Sequence, residues 1–202
     1  MRGCDVAKAA VMLPTIARRT LLRAAALGWL CCLPTPPLAL AQNAAIAASE
    51  QSIKAAYLFK LPAYVDWPAG RFEEPDSAFT IGVLGADDVA TELASLTAGR
   101  TVNGRPLAIR RLSQGDLLEG VDVLFFSGAA FSGSERIATD AAAHAILTVT
   151  DSPGGSQDSV VSFVNINGRL RFEVRLGAAQ RNGLRLHSGL LGVAARVHGA
   201  AP

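Results

Sequence analysis

The sequence predicts an α/β protein: a single compact domain with a mixed, mostly parallel sheet of about six strands, a C-terminal β-hairpin and flanking helices. Three observations support this fold class. Apolar runs of strand length alternate with helical patterns along the chain. An Asn-Gly pair at 167–168 separates two strand-like runs. No repeat or low-complexity linker interrupts residues 50–198, so one domain is expected there.

The first predicted element is an amphipathic helix. Its apolar stripe has spacings of seven, four, four and three residues and ends at Asp66-Trp67-Pro68. Pro62 lies inside the stripe and removes one backbone donor, so it is expected to kink or divide the helix. The stripe consists of Ile46, Ile53, Tyr57, Leu61 and Tyr64.

The middle of the chain predicts alternating strands and helices. Short apolar runs bounded by turn residues predict the strands, while an acidic first turn marks the start of the helix at 87. The predicted strands cover 79–85, 107–112, 121–127 and 145–150, and the predicted helices cover 87–98 and 132–143.

The clearest local signal predicts a hairpin with strands over 159–166 and 169–176. Asn167 and Gly168 suit a two-residue type I′ turn because both of its central residues need positive φ. The second strand alternates strictly, so one of its faces belongs to the core and the other meets solvent or a partner. Leu170, Phe172, Val174 and Leu176 form the first face, and Arg169, Arg171, Glu173 and Arg175 form the second.

The last predicted element is a C-terminal helix. Its apolar side carries residues four, three and four positions apart. Gly189 and Gly192 weaken it intrinsically, so it should depend on packing. The apolar side consists of Leu186, Leu190, Val193 and Val197.

Residues 1–41 are predicted to be a signal peptide. A basic region precedes an uncharged run from 24 to 33, which suits a signal core of ~7–15 residues and is shorter than the ~20 that span a bilayer. Ala39-Leu40-Ala41 matches the small-x-small cleavage pattern, so we place cleavage after Ala41 and expect a mature domain over 42–202 without membrane insertion. Arg18-Arg19 resembles a twin-arginine signal, so that route and general secretion both stay open.

Cleavage changes the charge and the cysteine count. The whole chain has 19 basic and 17 acidic residues, for a formal net charge of +2. Five of the basic residues and one acidic residue lie within 1–41, which leaves 14 against 16 and a charge of −2. A slightly acidic exported protein is a poor candidate for nucleic-acid binding. Cys4, Cys31 and Cys32 all leave as well, so disulfides and thiol chemistry are excluded.

The mature sequence contains no recognisable catalytic or cofactor motif. His144, His187 and His198 lack metal-ligand spacing, so we expect neither a metal nor a cofactor, and no enzymatic activity. One alternative is a small-ligand binding module with a crevice at the strand ends, where Gly85 and Asp87 would lie. An enzyme whose site combines residues distant in sequence is a third possibility.

Arg169, Arg171 and Arg175 are the candidate partner-binding residues. Arginine offers a planar, bidentate donor group and is enriched at interfaces. The alternative is an ordinary solvated face that Glu173 partly neutralises.

Nine short segments, taken in order, resemble the YfiR/HmsC-like family of periplasmic proteins, a domain-of-unknown-function family. They extend from Lys54-Ala55-Ala56-Tyr57-Leu58 to about residue 197, almost the whole mature chain. The segments are 54–59, 64–68, 79–85, 101–106, 123–125, 147–151, 163–165, 171–174 and 183–191.

The resemblance implies regulation rather than catalysis. Family members are described as periplasmic partners of membrane diguanylate cyclases: they bind the periplasmic sensing region and restrain cyclic-di-GMP synthesis, and with it exopolysaccharide and biofilm output. The resemblance also implies a compact α/β domain, often a homodimer. Pro62 in the first helix and the lack of mature cysteines depart from the family pattern, so disulfide-based redox control does not transfer.

Overall fold

A computed structural model describes residues 50–72, 74, 76–128, 134–152 and 157–199. All of these residues belong to one unit of the chain, Asn43–Pro202. The predicted signal peptide, its cleavage site at Ala41, and Ile46 lie outside the described residues.

Ten strands are present in the described part of the chain. Two form a small antiparallel ladder, and eight form the main sheet. The strands are β1 (Val65–Asp66), β2 (Phe79–Leu84), β3 (Thr101–Val102), β4 (Arg105–Leu112), β5 (Val123–Phe126), β6 (Leu147–Thr150), β7 (Val161–Ile166), β8 (Arg169–Arg175), β9 (Arg185–Leu186) and β10 (Arg196–His198).

The main sheet has the order β10-β8-β7-β6-β5-β2-β4-β3. Strands β4, β2, β5, β6 and β7 are parallel to one another. Strand β3 is antiparallel to β4, β8 is antiparallel to β7, and β10 is parallel to β8. The predicted α/β class, the mostly parallel sheet and the C-terminal hairpin are confirmed. The sheet has eight strands rather than about six because β3 and β10, each two or three residues long, lacked an apolar run that could predict them.

The first helix, α1, occupies residues 50–60 of the described chain and continues into a 3₁₀ turn, Leu61–Tyr64. Pro62 lies at the start of that turn, so the predicted division of the helix is confirmed. The other helices are α2 (Asp87–Thr97), α3 (Ser134–Ala143), α4 (Leu176–Arg181) and α5 (Ser188–Val193).

The predicted apolar stripe of α1 coincides only in part with its core side. Within the stripe, Leu61 is buried and Tyr57 packs against the core, whereas Ile53 is 41% exposed and Tyr64 is 43% exposed. Ala55 and Leu58, outside the stripe, are buried. Apolar residues occur on more than one side of this helix, so periodicity alone could not decide which side faces the sheet.

The predicted C-terminal helix is wrong. Residues 185–198 form β9, α5 and β10, and Val193 is 58% exposed. Leu186 pairs with Val65, and Val197 pairs with Val174. Pairing in these long-range ladders stabilises residues 185–186 and 196–198 as strands more than a continuous helix would, because Gly189 and Gly192 weaken that helix.

Two of the three Asn-Gly pairs, 103–104 and the predicted 167–168, form two-residue hairpin turns. Asn167 and Gly168 have φ values of 52° and 75°, and Asn103 and Gly104 have φ values of 51° and 80°. Both central residues therefore adopt the left-handed region that a type I′ turn requires. The turn at 167–168 fixes the β7–β8 register with Ile166 opposite Arg169.

Apolar clusters lie on both sides of the sheet. On one side, α1 and α2 cover a large cluster that contains Phe125 and Val149. On the other side, α3 covers a smaller cluster that contains Leu124 and Phe126. The central parallel strands β2, β5 and β6 are therefore buried on both faces, as their continuous apolar sequences predict.

Candidate partner-binding surface

The β7–β8 hairpin places the three predicted arginines on one face of the sheet. The register sets Val164 opposite Arg171 and Ser162 opposite Glu173, and opposed residues share a face. Arg169 and Arg171 are exposed, and Arg175 is half-buried. The structure thus brings the predicted residues together along a single strand.

Strand β10 adds two residues that sequence reasoning missed. Its register aligns Arg196 with Glu173 and His198 with Arg175, which puts both on the same face. The sequence did not predict them because residues 186–197 resembled a helix, and helical residues would not align with the arginines of β8. We call the surface of Arg169, Arg171, Arg175 and Arg196, together with Ser162, Glu173 and His198, the arginine face.

The arginine face continues the sheet side that α3 covers. Aligned partners run across five strands in the order Phe126, Thr150, Ser162, Glu173 and Arg196. The side thus changes from apolar under α3 to polar at the β8 and β10 end. Of the apolar residues on the polar part, Val164 and Ile166 belong to neither core cluster. Arg169, Arg171 and Arg196 of the polar part are exposed.

The positive charge of the arginine face is not neutralised by the described residues. Glu173 is the one acid on the face, and its Oε2 lies 2.8 Å from His198 Nε2. The Nη2 of Arg171 donates to the Val193 carbonyl oxygen at 3.3 Å, a neutral acceptor. Five of the ten lysines and arginines elsewhere in the described chain have acidic partners at 2.7–3.8 Å: Lys54, Arg71, Arg111, Arg136 and Arg181.

An apolar cavity of about 160 Å³ lies on the other side of the sheet from the arginine face, because Phe172 and residues of α1 line it. Arg171 donates to the carbonyl oxygen of Val193, which also lines this cavity. The lining residues are Tyr57, Lys60, Leu61, Tyr64, Phe172, Gly189, Leu190 and Val193.

Gly85 and Asp87 lie at the carboxyl end of β2, as the crevice hypothesis expects. Gly85 has a φ of 70° and turns the chain towards α2. Asp87 is exposed, with its Oδ1 3.8 Å from Arg111 Nε. Gly82, the first glycine of the same segment, packs so closely that an added Cβ would lie 2.7 Å from Leu112 Cδ1. The Gly-x-x-Gly spacing therefore has a structural explanation.

The cavity found at the strand ends lies elsewhere, between α1, the carboxyl end of β6 and the hairpin. Its volume is about 380 Å³. Neither Gly85 nor Asp87 lines it. Its lining residues are Glu50, Lys54, Asp151, Ser152, Phe163, Val164, Asn165 and Leu170.

An ion pair joins α1 to the end of β6 in this cavity. Lys54 Nζ lies 2.8 Å from Asp151 Oδ2 and 2.8 Å from Glu50 Oε1. Asp151 Oδ1 accepts a hydrogen bond from the Gly128 backbone N–H at 3.1 Å. Burial alone would lower the pKa of Lys54, but its hydrogen bonds to Asp151 and Glu50 and their charges outweigh burial and raise that pKa above 10.5.

A second contact joins the end of the 3₁₀ turn to the C-terminal segment. The β1–β9 ladder pairs Val65 with Leu186, and the His187 N–H donates to the Tyr64 carbonyl oxygen at 3.0 Å. His187 Nε2 also lies 3.0 Å from Asp66 Oδ1. Two pairs of segments that carry the family resemblance, 54–59 with 147–151 and 64–68 with 183–191, are thus in direct contact.

The described residues contain neither a cluster of potential metal ligands nor a membrane-spanning helix. Over those ranges, no three His, Cys, Asp or Glu side chains are grouped so that they could bind a metal ion. Over the same ranges, no helix combines the length and apolarity needed to cross a bilayer.

Comparison with known proteins identifies the family of the chain. No curated protein sequence matches the chain. The sequence model of the YfiR/HmsC-like family matches residues 51–195, which is most of the chain and nearly all of the described fold. The match covers α1, the ladder between β1 and β9, and the whole arginine face except Arg196 and His198. The chain therefore belongs to the YfiR/HmsC-like family.

Proposed function

We propose that this protein is a periplasmic regulator of a membrane diguanylate cyclase. In this role it binds the cyclase's periplasmic sensing region and restrains cyclic-di-GMP synthesis, and so lowers exopolysaccharide and biofilm output. Family membership supports the regulatory class over an enzymatic one. The predicted signal peptide over 1–41 supports the periplasmic location.

The arginine face is the observation that carries a binding role. It holds four arginines without an acidic partner among the described residues. Guanidinium groups form bidentate hydrogen bonds with carboxylates, and complementary charge increases the rate of association. We therefore expect the cyclase domain to present carboxylates to Arg169, Arg171, Arg175 and Arg196.

Charge reversal tests this surface. The double variant Arg171→Glu, Arg175→Glu replaces two attractive contacts with two repulsive ones. Because exposed ion pairs contribute about 0.2–1 kcal/mol each, we expect the affinity for the cyclase domain to fall about 5- to 100-fold. Arg136→Glu is the matched control, since Arg136 is an exposed cation on α3, away from the arginine face.

Different results would contradict the proposed binding surface and the proposed regulatory role. Calorimetry at two salt concentrations measures the affinity of each variant for the purified cyclase domain. If Arg136→Glu weakens binding as much as the double variant does, the arginine face is not the interface. If the wild-type protein does not bind the domain, and gene deletion leaves cyclic-di-GMP unchanged, the regulatory role itself is wrong.

A small-ligand binding module is the second candidate function. The cavity of about 380 Å³ at the end of β6 favours it, because ligands of α/β sheets bind beyond the carboxyl ends of strands. The predicted crevice at Gly85 and Asp87 lies along the same edge of the sheet. A thermal-shift screen with amino acids, small anions and nucleotides tests both places, and a flat response would count against this function.

A further inference from the structure

The chain contains three Asn-Gly pairs, at 103–104, 167–168 and 182–183, and the fold places them in three different environments. Asparagine is a chemically labile residue, and a following glycine increases its reactivity because glycine has no side chain to shield its backbone nitrogen. That nitrogen can attack the side-chain carbonyl carbon of the asparagine. Whether a given pair reacts depends on how the fold holds these two groups.

The pair at 167–168 is protected by a hydrogen bond and by a long hairpin. The Gly168 N–H donates to Asn165 Oδ1 at 2.9 Å, so the attacking nitrogen is engaged. Six residue pairs between β7 and β8 keep the two strands in register on the other side of the turn. Opening this turn therefore works against an extended ladder.

The pair at 182–183 is protected by burial. Asn182 is 4% exposed, and its Nδ2 donates to the Ile146 carbonyl oxygen at 2.8 Å. The Gly183 N–H donates to the Gln180 carbonyl oxygen at 3.0 Å. Both reacting groups are thus engaged, and burial keeps water away from the asparagine side chain.

The pair at 103–104 has none of these protections. Both residues are exposed. Within the described part of the chain, neither the Asn103 side-chain amide nor the Gly104 N–H has a hydrogen-bond partner. Two residue pairs alone hold β3 against β4, at one end of the main sheet. Of the three pairs, this one leaves the reacting groups free and the turn weakly held.

We propose that Asn103 is a site of spontaneous deamidation, in which the backbone nitrogen of Gly104 attacks Cγ of Asn103. A bond forms between that nitrogen and Cγ, the bond from Cγ to Nδ2 breaks, and ammonia leaves with the Gly104 amide proton. The product is a five-membered succinimide ring. Water then adds to either ring carbonyl and opens the ring, which leaves aspartate or isoaspartate at position 103.

The turn must open before this ring can close. Asn103 has a φ of 51°, in the left-handed region, where Cβ and the following nitrogen lie nearly opposite each other about the Cα–C bond. Ring closure needs them on the same side, so the rate follows the population of opened turns. Asn167 has almost the same φ, 52°, so the ladders and the bond to Gly168 must distinguish the two sites.

Isoaspartate at position 103 would prevent the hairpin from closing again. It adds one methylene group to the backbone, which a two-residue type I′ turn cannot accommodate. Strand β3 would then lose its pairing with Arg105 and Pro106, and Val102, which is 5% exposed, would leave the core. The modified protein should therefore be less stable than the unmodified one.

Peptide mass mapping of the wild-type protein tests the proposal, with the three pairs as internal controls. The folded protein is incubated at mildly alkaline pH, where the attacking nitrogen loses its proton more readily, and is sampled over time. We expect Asn103 to convert at least about tenfold faster than Asn167 or Asn182. In denaturing urea the three rates should agree within about threefold, because the fold no longer distinguishes the pairs.

Two variants test the separate steps of the argument. Asn165→Ala removes the hydrogen bond to the Gly168 N–H, so conversion at Asn167 should become about 2- to 10-fold faster while conversion at Asn103 is unchanged. Asn103→Gln should resist conversion, because its longer side chain would have to form a less favourable ring. Incubation should therefore lower the thermal midpoint of the wild-type protein more than that of Asn103→Gln, with circular dichroism confirming that both are folded at the start.

Three results would overturn the inference. The first is a folded protein that converts Asn103 no faster than Asn167 or Asn182. The second is the same unequal order of rates in urea, since the fold would then not be the cause. The third is an equal loss of thermal midpoint in the wild-type protein and Asn103→Gln. The inference does not rest on the proposed function, and none of these measurements involves the cyclase, so the two proposals fail separately.

Discussion

Replacing Lys54 by Met tests whether the ion pair between α1 and β6 holds the fold together. The Lys54 side chain is 12% exposed and that of Asp151 is 16% exposed. Lys54→Met keeps an unbranched apolar side chain in place of the lysine stem but leaves the Asp151 carboxylate without its cation. Breaking a fully buried pair costs about 3–5 kcal/mol, and the residual exposure here reduces this to about 2–3 kcal/mol.

Asp151→Asn provides the matched second variant. Asparagine can still accept the hydrogen bond from the Gly128 N–H, and Lys54 keeps Glu50 at 2.8 Å. We therefore expect a smaller loss, about 1 kcal/mol. The double variant removes both charges, so it should cost about 1–2 kcal/mol, less than the sum of the single variants.

Urea unfolding followed by Trp67 fluorescence measures these free energies of unfolding. The reasoning is refuted if the losses are additive, or if Lys54→Met costs under about 1 kcal/mol. The pH dependence of the free energy of unfolding tests the direction of the Lys54 pKa shift. The pKa of Lys54 is raised in the folded state, so its contribution is complete below pH 10.5 and is lost as the pH rises through the raised pKa. The wild-type advantage over Lys54→Met should therefore disappear only above pH 10.5.

Two further predictions concern packing and buried hydrogen bonds. Gly82→Ala should destabilise the fold by about 1–3 kcal/mol in urea unfolding, because its Cβ would lie 2.7 Å from Leu112 Cδ1. Gly192→Ala is the control: no atom lies within 4 Å of an added Cβ there, so helix α5 should gain about 0.5–1 kcal/mol. Asn182→Ala removes a 2.8 Å hydrogen bond to the buried Ile146 carbonyl and should lower the thermal midpoint, at a cost of about 1–3 kcal/mol; an unchanged midpoint would contradict this.

Local signals predicted the elements that depend on neighbouring residues. The hairpin at Asn167-Gly168 needs only turn chemistry and alternation, so both its turn and its two faces were predictable. The central parallel strands β2, β5 and β6 were predictable as apolar runs because both of their faces are buried. The three arginines of β8 followed from the same alternation, which is why half of the candidate surface could be derived before the fold was known.

The remaining elements depend on partners distant in sequence. Strand β9 exists because Leu186 pairs with Val65, and β10 exists because Val197 pairs with Val174. Nothing near residues 185–198 encodes those partners, so the apolar periodicity there predicted a helix instead. Arg196 was missed for the same reason. The core side of α1 was ambiguous because the sheet, and not the helix sequence, determines which apolar side is buried.

The β1–β9 ladder has a consequence for the order of folding. His187 and Asp66, which lie 3.0 Å apart, are 121 positions apart in the chain. Contacts of such long range form late, because the loop between them must first be ordered. During synthesis, the chain cannot complete this ladder until Arg185 and Leu186 have been made. The 3₁₀ turn likewise cannot pack against α5 until Ser188–Val193 has been made. The finished fold is therefore unavailable to an incomplete chain.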